Sequence, residues 1–217
     1  MPRRRGRGEP SFSLPRRYAS GVSEQRLLPF SASPPNVPGL VYVEGYVSRD
    51  EERDLLTASD GERWLTNYKR RRQVYGVAYS GPQAGTKLNA LPTWLSWLVT
   101  RVRQDGWLQA EVVNAVINEY LPGQGISAHV DHPAFGPTVV AVSLGAATSL
   151  ELENPSAPQL CKVTLDVQPR SLLVLDGQAR SHWQHGIAAR QSDLVNGLKR
   201  PRERRVSVTL RTLARAS

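Results

Sequence analysis

The pattern of apolar and polar positions predicts a short strand followed by a helix early in the chain. Apolar and polar residues alternate around aromatics over residues 40–47, as is typical of a strand. Ser48 and Glu51 then have the spacing of a capping box, so a helix should begin there and stop near Gly61. A second helix is predicted from Pro92, because proline is tolerated in a first helical turn and large apolar residues follow it at helical spacing. We interpret these residues as core anchors: Trp94, Trp97, Leu98 and Val102.

Short β-rich runs separated by turn residues dominate the second half of the chain. Residues 64–80 already suggest strands joined by an irregular connection. Seven further runs are expected at 113–121, 128–131, 138–144, 150–153, 162–167, 171–175 and 204–212. Two helices followed by such a body predict an α+β domain that is mainly β, a sandwich or jelly roll braced by its N-terminal helices.

Length and composition favour one domain with a tail. The 217 residues suffice for one substantial core. Residues 1–37 are rich in Arg, Pro and Ser without sustained periodicity, so we expect a disordered tail there and a domain at 38–217. The single cysteine, Cys161, excludes a disulfide framework or a cysteine-rich zinc site within one chain and favours an intracellular, cytoplasmic setting. No apolar stretch reaches the length of a membrane span, so we expect a soluble protein, and we expect a monomer.

The positive charge is concentrated in the tail. The net charge is +9, and within residues 1–17 six arginines and one glutamate contribute +5. Such a balance favours a polyanionic partner such as nucleic acid. The tail itself has three interpretations: a solvated segment without a ligand, a phosphate-contacting arm, or an Arg-rich organelle-targeting segment.

All four histidines lie in the β-rich half, at 129, 132, 182 and 185. In a strand, His129 and Asp131 would point to the same face, because side-chain direction alternates with period two. One imidazole and one carboxylate joined by a distant second histidine form the facial triad that binds iron(II) and leaves open positions for a cosubstrate and O2. From the residues alone, His182 and His185 are both candidates for the third ligand.

Five ordered motifs carry a resemblance to a known family. They are Asn118-Glu-Tyr120-Leu-Pro122-Gly123, His129-Val-Asp131, Ser143-Leu-Gly145, Trp183-Gln-His185-Gly-Ile187 and Arg205-Val-Ser207-Val-Thr-Leu-Arg211. In order and spacing they resemble the AlkB family of Fe(II)/2-oxoglutarate-dependent dioxygenases over about residues 38–214. The resemblance implies a double-stranded β-helix core, with iron(II) held by His129, Asp131 and His185. It excludes His182 as a ligand and places Arg211 in the catalytic set.

In this interpretation, two arginines bind the cosubstrate. Arg205 and Arg211 have an even spacing on a strand-like run, so both should point to one face, and a guanidinium suits a carboxylate. The resemblance implies that Arg205, Tyr120 and Ser207 bind the distal carboxylate of 2-oxoglutarate, with Asn118 and Arg211 nearer the iron. Alternatively, the basic residues of 199–215 would form an exposed cationic patch.

The resemblance also implies a substrate. Its leading form is oxidative demethylation of N-alkylated bases in DNA or RNA, with loss of the methyl group as formaldehyde. The alternatives are hydroxylation of a modified tRNA base or of a protein side chain, and a non-catalytic nucleic-acid-binding module. The segment ending Tyr75-Gly-Val77-Ala-Tyr79-Ser80 is similar to the family's substrate lid, except that Val77 replaces an aromatic. Candidate substrate contacts are Tyr75, Tyr79, Arg72 and His132, and arginines 70–72 would either meet phosphates or belong to a solvated strand.

Overall fold

The computed structural model describes residues 36–77, 89–157 and 162–214, all of which belong to one compact unit at residues 32–217. The expected tail lies outside the described residues, apart from its last two positions. Of these, Val37 is 4% exposed and packs in the hydrophobic core. The folded domain therefore includes at least one residue that we had placed in the tail.

The first helix, α1 (Arg49–Gly61), begins and ends where the sequence predicts. Ser48 is its N-cap: the hydroxyl accepts from the Glu51 N–H at 3.2 Å, and the Glu51 carboxylate accepts from the Ser48 N–H at 2.8 Å. Leu55 and Ser59 form its buried face.

The predicted second helix is present, and a 3-10 turn forms its start. A 3-10 turn (Thr93–Leu95) follows Pro92 and leads into α2 (Ser96–Gln104). Leu98 and Val102 are fully buried, whereas Trp94 and Trp97 are half-buried. An ion pair between Arg101 and Glu51 ties α2 to the start of α1.

Two antiparallel sheets form the body of the domain. The larger has the order β1-β8-β5-β12-β3-β2, with bounds Leu40–Val43, Ser171–Leu175, Phe135–Gly145, Arg205–Leu213, Asn114–Tyr120 and Arg72–Gly76. The smaller has the order β4-β9-β6-β7, with bounds Ile126–His129, Gln184–Ile187, Thr148–Glu153 and Val163–Val167. A separate hairpin joins β10 (Ser192–Val195) to β11 (Leu198–Pro201), and a short helix, α3 (Gly177–Ser181), connects β8 to β9.

The two sheets share one hydrophobic core. Val139 and Leu173 of the large sheet pack in a cluster with Leu150, Leu152 and Leu165 of the small sheet. The intervening residues of β5, such as Val140 and Val142, are equally buried but point to the opposite face, because side chains alternate along a strand. The helix α1 packs against β5. The large sheet is thus covered on both faces, and the predicted mainly-β α+β architecture is confirmed.

Each of the seven predicted β-runs overlaps a strand, whereas β9, the β10–β11 hairpin and α3 were not predicted. These elements are four or five residues long and rich in polar residues. They lack the apolar alternation by which a strand is recognised. Within the described ranges no helix is long and apolar enough to cross a membrane.

Candidate active site

The pairing of β4 with β9 brings two distant histidines together. In this ladder His129 lies directly opposite His185, and their ring centroids are 4.5 Å apart. Glycine makes the close approach possible: a Cβ at Gly186 would lie 2.9 Å from the backbone nitrogen of Ala128. The two imidazoles are therefore neighbours because of strand register.

Asp131 joins this pair from a loop. Since β4 ends at His129, strand alternation does not place Asp131, contrary to our expectation. Its carboxylate is nevertheless buried beside the histidines, with Oδ2 at 3.7 Å from His185 Nε2. Oδ1 accepts from Arg211 Nε at 2.8 Å and pairs with Nη2 at 2.6 Å, whereas Oδ2 is buried without a hydrogen-bond partner.

The surroundings of His185 and Asp131 keep both side chains in the protonation states that bind metals. Burial lowers the pKa of His185 to about 4, although the Asp131 charge opposes this shift. Burial alone would raise the pKa of Asp131, but the charges of Arg211 and His185 outweigh it and lower that pKa. At neutral pH the imidazole is thus neutral and the carboxylate ionised, as coordination requires.

The donor set fits a two-histidine, one-carboxylate metal site. Nitrogen and oxygen donors bind first-row ions such as zinc at about 2.0–2.2 Å, so two donors of one ion can be at most about 4.3 Å apart. The 3.7 Å between His185 and Asp131 meets this limit, and Oδ2 of Asp131 has no other partner. However, no three His, Cys, Asp or Glu side chains of the described ranges already form a closed ligand cluster. His129 is half-buried, and its Nδ1 lies 2.9 Å from the Ser127 carbonyl oxygen.

A small inner cavity of about 80 Å³ continues from these residues into the space between the sheets. Arg205, Ser207 and Arg211 all line it, so the predicted common face of β12 is confirmed. Arg205 is 7% exposed, with its Nε 2.8 Å from Ser143 Oγ and its guanidinium 5.2 Å from the centre of the Tyr120 ring. Burial lowers its pKa.

Arg205 forms no ion pair with an Asp or Glu of the described part of the chain. A buried cation without an acidic partner is costly. The inner cavity is therefore suited to a ligand that carries a carboxylate.

The remaining expected cosubstrate contacts border the same cavity. Tyr120 and Asn118 line it, and the Asn118 amide oxygen accepts from Arg70 Nε at 3.2 Å. The Arg211 guanidinium donates to two other groups: the amide oxygen of Asn114, at 3.0 Å, and the Asp131 carboxylate. Arg211 thus lies at the histidine end of the cavity and Arg205 at a separate position along β12.

A wide outer cleft of about 1230 Å³ opens beside the inner cavity. His129, Asp131 and Arg211 line both. Among the described residues, four arginines line the cleft, at 70, 72, 180 and 211, together with one acid, Asp131. An anionic ligand would meet a favourable field there.

The structure corrects one predicted substrate contact and supports the position of two others. Tyr75 is 7% exposed and, with Gln73, lies on the face of β2 away from the cleft, and burial raises its pKa to about 12. Arg72 faces the cleft instead, with its guanidinium 3.6 Å from the centre of the Tyr68 ring. His132 is exposed at the cleft, and Tyr79 lies outside the described residues.

His182 differs from His185 in position. It is exposed at the end of α3, where its Nδ1 lies 2.8 Å from Ser181 Oγ. It lines the outer cleft but not the inner cavity.

The basic residues near the C-terminus do not form a uniform exposed patch. Arg202 is buried and bound to Asp193, Arg204 binds Glu119 and Asp60, and Arg200 binds Asp166, whereas Lys199 is exposed. Arg215 lies outside the described residues.

Sequence reasoning missed three residues of the site: Asn114, Tyr68 and Arg180. Asn114 continues the alternation of Asn118 and Tyr120 on β3, so period two could have found it. Tyr68 and Arg180 carry no such local signal, because they reach the cleft only through tertiary packing.

The chain matches the family model of the 2OG-Fe(II) oxygenase superfamily over residues 58–211. Fold and site together define an oxidoreductase of the dioxygenase class, with iron(II), 2-oxoglutarate and O2 as cofactor and cosubstrates. The solved structure of OsALKBH1 has the same jelly-roll fold: the TM-score is 0.61 at 16% identity, covering 81% of this chain and 99% of that one.

Curated relatives narrow this class. Protein L905 of Acanthamoeba polyphaga mimivirus is 32% identical over 82% of this chain and 86% of its own length. The alkylated DNA repair protein ALKBH8 homolog of Arabidopsis thaliana is 33% identical over 81% of this chain, which spans 58% of that relative. The probable RNA/DNA demethylase ALKBH6 of Danio rerio is 30% identical over 80% of this chain and 85% of its own length. The chain belongs to the AlkB-like 2-oxoglutarate and iron(II)-dependent oxygenases.

Proposed function

We propose that this oxygenase oxidatively demethylates N-alkylated bases in DNA or RNA. The observation that carries the proposal is the outer cleft, whose lining, among the described residues, has four arginines and one acid and includes His129 of the histidine pair. The planar guanidinium of arginine matches the geometry of a phosphate group, so a nucleic-acid strand suits this lining. The names of the Arabidopsis and zebrafish relatives agree with such a substrate.

Three side chains hold the iron in this proposal. His129 and His185 provide imidazole nitrogens and Asp131 provides Oδ2, the buried oxygen without another partner. Arg211 keeps the carboxylate oriented through Oδ1. His182 is not a ligand, because it lies outside the inner cavity.

The cosubstrate occupies the inner cavity. Arg205 pairs with the distal carboxylate of 2-oxoglutarate, flanked by Tyr120 and Ser207, because that guanidinium lacks an acidic partner within the described part of the chain. Asn118 and Arg211 contact the end nearer the iron. When bound, the iron uses O2 and 2-oxoglutarate to hydroxylate a C–H bond. The apolar walls of the cavity, from Leu150, Leu173 and Ile187, keep water from that reaction.

The target base lies in the outer cleft. The Arg72 guanidinium lies over the Tyr68 ring there. In this proposal a base extracted from its stack packs against this pair, and Arg70 contacts the strand's phosphates. His132 is a further contact from the opposite loop. Hydroxylation of an N-methyl group at this position gives a product that decomposes to formaldehyde and the restored base.

Formaldehyde release tests the proposal. Purified protein with iron(II), ascorbate and 2-oxoglutarate should release formaldehyde from an oligonucleotide that contains 1-methyladenine or 3-methylcytosine. Succinate without formaldehyde from any methylated strand would indicate instead a hydroxylase of a modified tRNA base or a protein. Strand binding without either product would indicate a non-catalytic binding module.

A matched pair of variants tests the ligand assignment. His185→Ala should abolish turnover, because it removes a donor of the inner cavity. His182→Ala should retain much of it, because that ring is exposed at the cleft rim. The reverse result would show that the distal ligand is assigned to the wrong histidine.

A further inference from the structure

Arg180 is a buried cation whose guanidinium is directed at the loop that carries Asp131. It lies on α3 and is 7% exposed. It forms no ion pair with an acid in the described ranges, and its hydrogen bonds go to three backbone carbonyls of the β4–β5 loop. These are Asp131 at 3.0 Å from Nη1, and His132 at 2.9 Å and Phe135 at 3.4 Å from Nη2.

The loop needs an external support. It follows the end of β4, so the sheet ladder does not fix the backbone of Asp131. The turn from His132 to Phe135 closes on itself through the Phe135 N–H and the His132 carbonyl at 3.0 Å. The carbonyl of Asp131 lies before that turn and accepts from Arg180.

The same arginine lies just ahead of the distal histidine in the chain. Its helix leads directly into β9, where His185 pairs opposite His129. The Arg180 guanidinium therefore links the backbone at Asp131 to the segment that leads into His185. Arg180 and Asp131 are 49 residues apart in the chain. Groups that orient metal ligands from outside the coordination shell are a regular part of metal sites.

We propose that Arg180 is a positioning residue that holds the Asp131 carboxylate in register with His185. The inference rests on the ligand set proposed above. A guanidinium suits the task because its planar fork can serve several carbonyls at once, which an ammonium cannot do in the same geometry.

Manganese(II) affinity, measured by titration calorimetry or electron paramagnetic resonance, tests this role without turnover. The comparison uses the full chain as wild type, Arg180→Ala, Arg180→Lys and the control Arg202→Lys. Arg202 is also buried and donates to the Ala188 carbonyl at 2.7 Å and to Asp193, but it lines neither the cleft nor the inner cavity. All measurements are made well below each variant's unfolding temperature.

We expect both Arg180 variants to bind manganese about 10- to 100-fold more weakly than wild type, the usual cost of losing such a support. Methylguanidinium added to Arg180→Ala should recover part of the affinity. Arg202→Lys should lose thermal stability while it keeps wild-type affinity.

Two results would overturn the inference in distinguishable ways. If the folded Arg180→Lys variant binds manganese within twofold of wild type, Arg180 supports only the fold, and the ligand set stands. If wild type and His185→Ala bind manganese equally weakly, the ligand set fails and Arg180 loses its role with it.

Discussion

Gly186 is the residue that allows β9 to lie against β4 closely enough for His185 to face His129. A Cβ there would lie 2.9 Å from the nitrogen and 3.0 Å from the Cα of Ala128, and backbone atoms cannot rotate away. The strands would have to separate. Because Gly186 has no Cβ, the imidazoles of His129 and His185 can lie opposite each other.

The variant Gly186→Ala should therefore be both less stable and less able to bind metal. We expect a loss of about 1–3 kcal/mol in the free energy of unfolding, as for other overpacked sites, together with weaker manganese binding. Urea denaturation and metal titration measure the two effects. Gly61→Ala is the control, because a Cβ at that position would meet no atom of the described residues within 4 Å beyond its chain neighbours and its own helix backbone. Equal stability of both variants would show that β4 and β9 do not depend on this contact.

Arg205 should govern the affinity for 2-oxoglutarate. Arg205→Lys keeps a charge but loses the planar fork, so we expect the KM for 2-oxoglutarate to rise about 10-fold or more, the equivalent of one charged hydrogen bond. At saturating 2-oxoglutarate, kcat should change less. Steady-state kinetics with varied cosubstrate separates the two parameters.

The neighbouring Arg204→Lys serves as control for Arg205. Arg204 immediately precedes β12, is bound to Glu119 at 2.6 Å and does not line the inner cavity. Its substitution should lower stability without raising the KM. An unchanged KM in Arg205→Lys would contradict the cosubstrate assignment.

At the scale of elements, α1 is a helix whose start is specified by residues close together in sequence. Both hydrogen bonds of the capping box are present, and the helix covers the large sheet, where Glu52 also accepts from the Gly145 N–H at 2.8 Å. The two capping-box hydrogen bonds are local in sequence, which is why the start of the helix could be predicted. The β10–β11 hairpin is the opposite case: its strands are short, and Asp193 is held by ion pairs with the buried Arg202 and the partly exposed Arg190.

Ser48→Ala should cost about 1 kcal/mol of unfolding free energy, because the Glu51 N–H loses its acceptor. Chemical denaturation followed by circular dichroism measures this loss. Thr57→Ala, an exposed change in the same helix, should stay within about 0.5 kcal/mol of wild type. If the two variants are equally stable, the cap does not contribute to the stability of the domain.

At the scale of the whole molecule, acid stability should depend on the buried carboxylate of Asp193. Burial raises its pKa, but hydrogen bonds from Arg202 and Arg190 and from the Ser149 N–H outweigh burial and lower the pKa to about 2. In the unfolded chain the value is about 3.9. The folded state therefore binds this proton less readily, so the contribution is fully present above about pH 5 and is lost as pH falls toward 2.

The variant Asp193→Asn should show a smaller loss of stability than wild type between about pH 5 and 2, and lower stability at pH 7. The difference should be on the order of 2 kcal/mol. Denaturation midpoints across this range measure it. Asp50→Asn, a change at an exposed site, should follow the wild-type curve. A wild-type slope in Asp193→Asn would assign the acid sensitivity to other carboxylates.

Local patterns alone determined the mainly-β class, the first helix and its ends, nine of the strands, and the common face of Arg205 and Arg211. Each of these depends on residues close in sequence, where capping and period-two alternation act. The ordered motifs also indicated the family before any coordinates. These features can therefore be predicted without knowledge of which distant segments contact each other.

Only the tertiary structure decided which residues meet across the chain. The β4–β9 register sets His185 rather than His182 opposite His129, and the packing of β2 turns Arg72 to the cleft and Tyr75 away from it. The alternation of residues along a strand predicts that the strand has two faces. It does not predict which face lines the cavity. That choice follows from the burial of both sheets in one core and from long-range contacts such as that of Arg180 with the Asp131 loop, which no window of sequence contains.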